Sequence, residues 1–429
     1  MGASGSKSDP TKAEIDASAI ADALAALDMG ALDASAAERA CRRVGAMCVE
    51  SDNPQHRLCA QQRLCEAGAL EACVAAMRTH PQAVGVQEQG CAALRRLSIG
   101  TDAKKPARKQ RAAEAGALEA AVAALNAHPQ SVGVQEHGCA ALCNVQAGAD
   151  NLAEARAQRA AEAGALEAAV AATRAHPHSE AVQQWACAAL RNVCNGVNPA
   201  AIARKQRAAR AGAIEAAVAA MRAHPQAAAL QETACGALNI CVGDAAALPR
   251  KQRAVAAGAI EAAVAAMRAH PTAVRVQQAA PMAVFYVCSG LDDAAAARWR
   301  QAAEAGALEA VVTAMTQHRS GWGNVQLNGC VLLGNVYFGD DDAATACWQR
   351  AVEAGAVEAT LAAMRGYPRA AGFQQMGLTL LHNVSAFTPS GLVRCNDAGA
   401  KAVAIVARNT HLNNEDVTRQ ADTVIGLLA

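Results

Sequence analysis

Apolar residues fall at i, i+4 and i+7 in six stretches of the chain: Leu70/Val74/Met77, Leu118/Val122/Leu125, Ile214/Val218/Met221, Ile260/Val264/Met267, Leu308/Val312/Met315 and Val357/Leu361/Met364. That spacing places three side chains on one face of a helix, which is the pattern of a buried stripe and not of a soft-metal site. Ahead of each stripe runs a short polar and basic segment, such as Arg108 to Ala113, predicting a separate first helix. Behind five copies stands His-Pro, at His80-Pro81, His128-Pro129, His176-Pro177, His224-Pro225 and His270-Pro271. Proline disfavours helix at the residue before it and cannot continue one, so the second helix stops there. A histidine at that point is expected to cap the last free carbonyls of its own helix. The five histidines belong to separate copies without a second ligand type nearby, so they do not read as a metal ladder. A third helix follows, for example Val134 to Val145.

The joint between first and second helices is the most regular feature. Residues Ala113 to Ala120 return as Ala161 to Ala168, Ala209 to Ala216 and Ala303 to Ala310, with looser copies around Gly68, Gly258, Gly355 and Gly399. Glycine is the usual residue just past a helix C-terminus, because it takes the left-handed conformation without a Cβ clash. A Glu then sits in the first turn of the next helix, at 71, 119, 167, 215, 261, 309 and 358, facing the positive end of the helix dipole. The joint glycines recur every 44 to 49 residues, and a fixed period of that size marks a helical solenoid. The expected organisation is a flexible segment 1–10, an N-terminal capping partial repeat 11–50 with helices at 11–28 and 34–50, seven repeats over 54–389, and a degenerate capping repeat 390–429. In the last, Asp422 replaces a buried cysteine and Leu427 an asparagine.

Composition narrows the function. Of the 429 residues 53% are hydrophobic but only 3% aromatic, as suits alanine-rich repeats that hide their apolar faces against one another. A formal net charge of +1 argues against a nucleic-acid partner, which needs a clustered cationic excess. Among sixteen cysteines, Cys41, Cys91, Cys139, Cys187, Cys235 and Cys330 share one position of the third helix, where a free thiol packs as a small apolar group. No Cys-x-x-Cys occurs, so no zinc or other metal is expected. Unpaired thiols without an apolar signal segment point to a reducing, cytoplasmic compartment. No nucleophile motif, phosphate loop or paired carboxylate stands outside the repeat pattern, so neither catalytic residues nor a cofactor are expected.

Three other features have two readings each. Met1-Gly2-Ala3-Ser4-Gly5-Ser6-Lys7 fits the pattern for N-myristoylation of Gly2 and equally a small-residue N-terminus. Acylation would make the protein a membrane-tethered adaptor, with a peripheral membrane population. Lys104 to Arg111 resembles a nuclear-import signal, but Arg204 to Arg207 and Arg250 to Arg253 repeat its second half in register, which favours a solvated helix face. Trp299 and Trp348 replace the lysine of that run and form either an aromatic strip or inter-repeat packing.

A short helix, an Ala-Gly-Ala joint, a second helix, a break, and Val-Gln-Glu…Ala-Leu-x-Asn-Val in a third helix together resemble the armadillo repeat. The clearest copy joins Glu114 to Leu118 with Val134-Gln135-Glu136 and Ala141 to Val145. The His-Pro variant is most similar to the armadillo region of large leucine-rich-repeat kinases and their kinase-free relatives. The resemblance implies an all-α, right-handed superhelix of three-helix repeats whose third helices line a concave groove. It also implies that an asparagine ladder, here Asn144, Asn192, Asn335 and Asn383, holds the backbone of an extended peptide. The ladder departs at Arg96, Ile240 and Tyr286. Import receptors of the family carry a Trp four residues before each Asn. These positions hold Ala92, Ala140, Ala188, Gly236, Met282, Val331 and Thr379, which weakens a cargo-receptor role. One turn further back, Gln89, His137, Trp185, Thr233 and Asn328 share the face by helical spacing. Trp185 is either a binding anchor or ordinary packing. The expectation is a monomeric, non-catalytic scaffold for a protein or peptide ligand, with Arg96, His137, Trp185, Tyr286 and the four asparagines as contacts.

Overall fold

The computed structural model describes residues 17–29, 33–243, 247–290, 293–319, 323–336 and 342–429. Within them lie twenty-six α-helices, one short 3-10 turn and no strand. The chain forms two compact units, Met1–Ala211 and Gly212–Ala429. Unit 1 begins with helices Ala17–Met29 and Ala34–Met47; residues 11–16 of the expected first helix, and the lipidation candidate Gly2, lie outside the described residues. Three-helix repeats follow, among them Pro54–Glu66, Ala69–Thr79 and Val84–Leu97, then Lys105–Ala115, Ala117–Ala127 and Val132–Gln146. Ala153–Glu162, Ala165–Ala175, Glu180–Val193 and Pro199–Ala211 complete the unit. Unit 2 continues the plan from Ala213–Ala223 to Ala400–Thr410 and Glu415–Leu427. In both units third helices stack on third helices, and the helices of each repeat pack mainly against those of its neighbours. The chain is an all-α solenoid of three-helix repeats.

The joints form as the pattern requires. Gly116 has φ 89°, left-handed, and a Cβ there would lie 2.2 Å from Arg78 Nη2. The stripe Leu118/Val122/Leu125 is buried, as are its counterparts in the other repeats. Its third member packs close to the third helix: a Cβ on Gly138 would lie 2.8 Å from Leu125 Cδ2. The six in-register cysteines are all buried, and desolvation pushes several thiols up to about 12, Cys91 and Cys187 among them. Trp299 and Trp348 are buried, so they belong to the packing between helices and form no surface strip.

Two expectations need correction. Among the His-Pro histidines, His128, His176 and His270 do not turn their rings to their own helices. Gln87 Nε2 donates to Met77 O and His80 O, and Gln135 Nε2 to Leu125 O and His128 O; Gln183, Gln231, Gln277, Gln326 and Gln374 repeat the bond pair. Each buried amide satisfies a carbonyl that the helix end leaves open and adds a second bond just past it, as at His128 O, which Ser131 N–H also reaches. The histidine instead reaches back one repeat: His128 Nε2 meets Pro81 O at 2.9 Å and His176 Nε2 meets Pro129 O at 2.8 Å. His270, His318 and His411 make the same link to Pro225, Pro271 and Pro368.

The basic run is not a solvated face either. Arg108 is 2% exposed and Arg156 1%, and Lys109, Arg204, Lys205, Arg250 and Lys251 are also buried. They lie where third helices end and their carbonyls need donors. Lys109 Nζ donates to Ala147 O at 2.6 Å, Arg204 Nε to Val193 O at 2.7 Å, and Lys251 Nζ to Ser289 O at 2.6 Å. Arg111, Arg159, Arg207 and Arg253, one helical turn on, do reach the surface and pair with Glu71, Glu119, Glu167 and Glu215 of the preceding repeat. The first-turn glutamates thus face both a helix dipole and a cation from the next repeat.

Unit 2 ends in a polar cap. Lys401, Arg408 and Asp422 stand where inner repeats carry Leu70, Met77 and Cys91, and Arg408 Nη1 bonds Asp422 Oδ1 at 3.0 Å. No described helix is long and apolar enough to cross a membrane.

Candidate interaction surface

The candidate residues divide between the units. Unit 1 holds Arg96, His137, Asn144, Trp185 and Asn192, on three successive third helices. Unit 2 holds Tyr286, Asn335 and Asn383.

In unit 1, Val84–Leu97, Val132–Gln146 and Glu180–Val193 each bury one face in the stack and leave the side chains one turn apart half-buried. His137 and Trp185, on successive third helices, are both reached by one residue of the repeat before them. Arg95 Nη1 donates to Glu136 Oε1 at 3.1 Å and to His137 Nδ1 at 3.4 Å. Its guanidinium carbon lies 4.6 Å from the Trp185 ring centroid. A cation over an indole face at partial exposure contributes about 0.5–1 kcal/mol. The group therefore arises from three repeats. Arg95 was not among the sequence candidates. Its signal was present, since a side chain one residue before the Asn position lies next to the preceding turn of the neighbouring helix.

Burial lowers the His137 pKa below the ordinary histidine value; Glu136 works against that and Arg95 with it. Arg96, at the head of the Asn row, is half-buried above Gly45, where an added Cβ would lie 2.8 Å from its Nη1. Asn144 Nδ2 donates to Arg95 O at 3.3 Å and Asn192 Nδ2 to Cys143 O at 3.1 Å, each on the preceding third helix. One amide N–H of each thus serves the preceding third helix, and the amide oxygens remain as acceptors for a ligand.

Unit 2 differs. Asn335 Nδ2 bonds Val331 O of its own helix at 2.8 Å, and Asn383 is only 2% exposed, its Oδ1 3.1 Å from His382 Nδ1. Tyr286 is half-buried beside Phe285, ring centroids 6.1 Å apart, and burial raises its phenol pKa. Ile240, a break in the ladder, is buried. Thr233 bonds back to Ala229 O and Leu230 O of its own helix, and Asn328 Nδ2 donates to Gln278 O at 2.8 Å. A shallow groove of about 770 Å³ crosses the N-terminal ends of three third helices here, lined by Ala228, Glu232, Val274, Arg275, Gln278 and Asn324. Among the described residues no three His, Cys, Asp or Glu side chains converge as metal ligands would.

No protein-family model matches the chain, and no curated protein matches it. Solved structures do. A chain from work on the phosphorylation switch that controls the interaction between cadherin and β-catenin overlays with TM-score 0.66 at 16% identity, covering 95% of this chain and 79% of that one. An engineered protein overlays with TM-score 0.47 at 22% identity over 62% of this chain and 96% of its own. A circular tandem repeat protein of novel repeat topology gives 0.22 at 12% identity over 96% and 97%. The first overlay shows a shared fold, that of armadillo and β-catenin-like helical repeats in general.

Proposed function

We propose that the protein is a non-catalytic scaffold whose third-helix face in unit 1 holds an extended segment of a partner protein. The observation that carries this reading is the Arg95–His137–Trp185 group: consecutive repeats each contribute one half-buried polar or aromatic side chain, open on one side. Aromatic and arginine side chains held in that way are the usual anchors of protein interfaces. The free oxygens of Asn144 and Asn192 continue the surface with acceptors for a peptide N–H. The cadherin–β-catenin interaction named for the overlaid structure is of the same general kind, a repeat solenoid holding another protein. Within that class, the His-Pro variant leads us to place the chain beside the armadillo regions of leucine-rich-repeat kinases and their kinase-free relatives.

The test is affinity capture with the full chain, followed by mapping of the bound segment and titration with the corresponding peptide. Trp185→Ala and Arg96→Ala are the informative variants, because Asn144 and Asn192 also hold backbone carbonyls and their loss would lower stability. Trp185→Ala should weaken binding about ten-fold or more while the melting temperature stays within about 2 °C of wild type. Unchanged affinity, or affinity and melting temperature falling together, would rule the surface out.

A further inference from the structure

The structure assigns His137 a gating role, which rests on the docking reading above: protonation of its imidazole releases Arg95 and uncovers the face of Trp185. A guanidinium has only donors, so the 3.4 Å contact from Arg95 Nη1 requires a lone pair on His137 Nδ1, with the ring proton on Nε2. A proton arriving at Nδ1 removes that acceptor and sets a second positive charge against the guanidinium. The new N–H already has a carboxylate in range, since Glu136 Oε1 lies 3.7 Å from Nδ1. Glu136 is also the remaining acceptor of Arg95, at 3.1 Å, so the imidazolium competes for the one anion that holds the arginine in place. The charged groups facing the imidazole are Glu88, Arg95 and Arg96 from helix Val84–Leu97 and Glu136 from its own helix. Helix Glu180–Val193 brings the Trp185 ring against Arg95, while its cation Arg191 acts on Cys143. Two carboxylates thus face two guanidiniums, and burial decides for the neutral ring at pH 7. Trp185 is itself only half-buried, so once the guanidinium leaves, that ring face opens to solvent or to a ligand.

The experiment needs no partner. Acrylamide quenching of tryptophan fluorescence is followed in the full chain from about pH 7.5 to about pH 5, with Trp185→Phe subtracted to isolate the Trp185 signal. Quenching of that signal should rise about two-fold on acidification, as one of two ring faces is freed. His137→Asn, whose amide oxygen accepts from Arg95 but does not titrate, should stay at the neutral-pH value throughout. Arg95→Ala should show the high value at every pH. A flat wild-type profile, or His137→Asn following wild type, overturns the gate and leaves the docking reading standing. A working gate in a protein whose ligand affinity ignores Trp185→Ala removes the docking reading and leaves the gate.

Discussion

Arg108 and Arg156 each sit almost fully inside the protein, and each lies against an aspartate six residues earlier on the loop that enters its helix. Asp102 meets Arg108 at 2.8 and 2.9 Å, Asp150 meets Arg156 at 2.7 and 2.9 Å, and Glu154 of the preceding repeat does the same for Arg204. Removing one partner of such a pair strands the other charge, which costs far more than losing a surface ion pair. Asp150→Ala should therefore lower unfolding free energy by about 3 kcal/mol in urea denaturation; a loss below about 0.5 kcal/mol would mean that water reaches Arg156 freely. Bonding to the arginines holds the carboxyls of Asp102, Asp150 and Glu154 below their ordinary values. The folded state thus keeps these groups ionised where the unfolded chain begins to protonate. Their contribution is complete above the ordinary carboxylate range and is lost as pH falls through the lowered folded values. Asp150→Ala should accordingly lose less stability than wild type on acidification below about pH 4. None of this was legible in Arg-Lys-Gln-Arg as a string. Recurrence with the structural period suits a buried cation and a solvated one equally, and the deciding carbonyl can lie dozens of residues away, as Ala147 does for Lys109.

Among helices, the buried glutamines matter more than the histidines before them. Gln135 holds two carbonyls at 2.8 and 3.1 Å inside the protein; Ser131 N–H also reaches His128 O, so Gln135→Leu should leave Leu125 O without its amide donor, at a cost of about 2 kcal/mol in thermal or urea unfolding. Glu71→Ala, which cuts an exposed link to Arg111, should cost under about 1 kcal/mol by the same measurement, and equal losses would show that the glutamine bonds are not the stronger joint. The joints and stripes could be read in advance because they are local: a left-handed glycine and an i, i+4, i+7 set need only their own helix. Gln135 was equally local, seven residues after His128, and the family motif contained it, yet its side chain had no assigned partner. The candidate surface divides along the same line. Trp185 and His137 share a face by helical spacing alone, whereas the part played by Arg95, and the turning of Asn144 and Asn192 toward the preceding helix, depend on how neighbouring repeats are offset.

For the whole chain, repeats that pack mainly against their neighbours make stability close to a sum of near-neighbour terms. A defect should stay local. In native-state hydrogen exchange, Gln135→Leu should speed exchange over residues 105–193 and leave 342–429 at wild-type rates; uniform acceleration along the chain would mean that it unfolds as one cooperative block. Links between repeats run both ways: Arg95 reaches Glu136 and Gln146 reaches Ala189 O one repeat on, while several recurring links run back. His128 and His176 give a proton to a proline one repeat back, Asn144 and Asn192 give theirs to a carbonyl one repeat back, and Arg111, Arg159 and Arg253 reach a glutamate one repeat back. Modules that carry these backward links therefore end in similar sockets and begin with similar plugs. Whole modules can be duplicated or excised by a single in-register recombination and still mate with what adjoins them, so length can evolve without any new joint having to be invented.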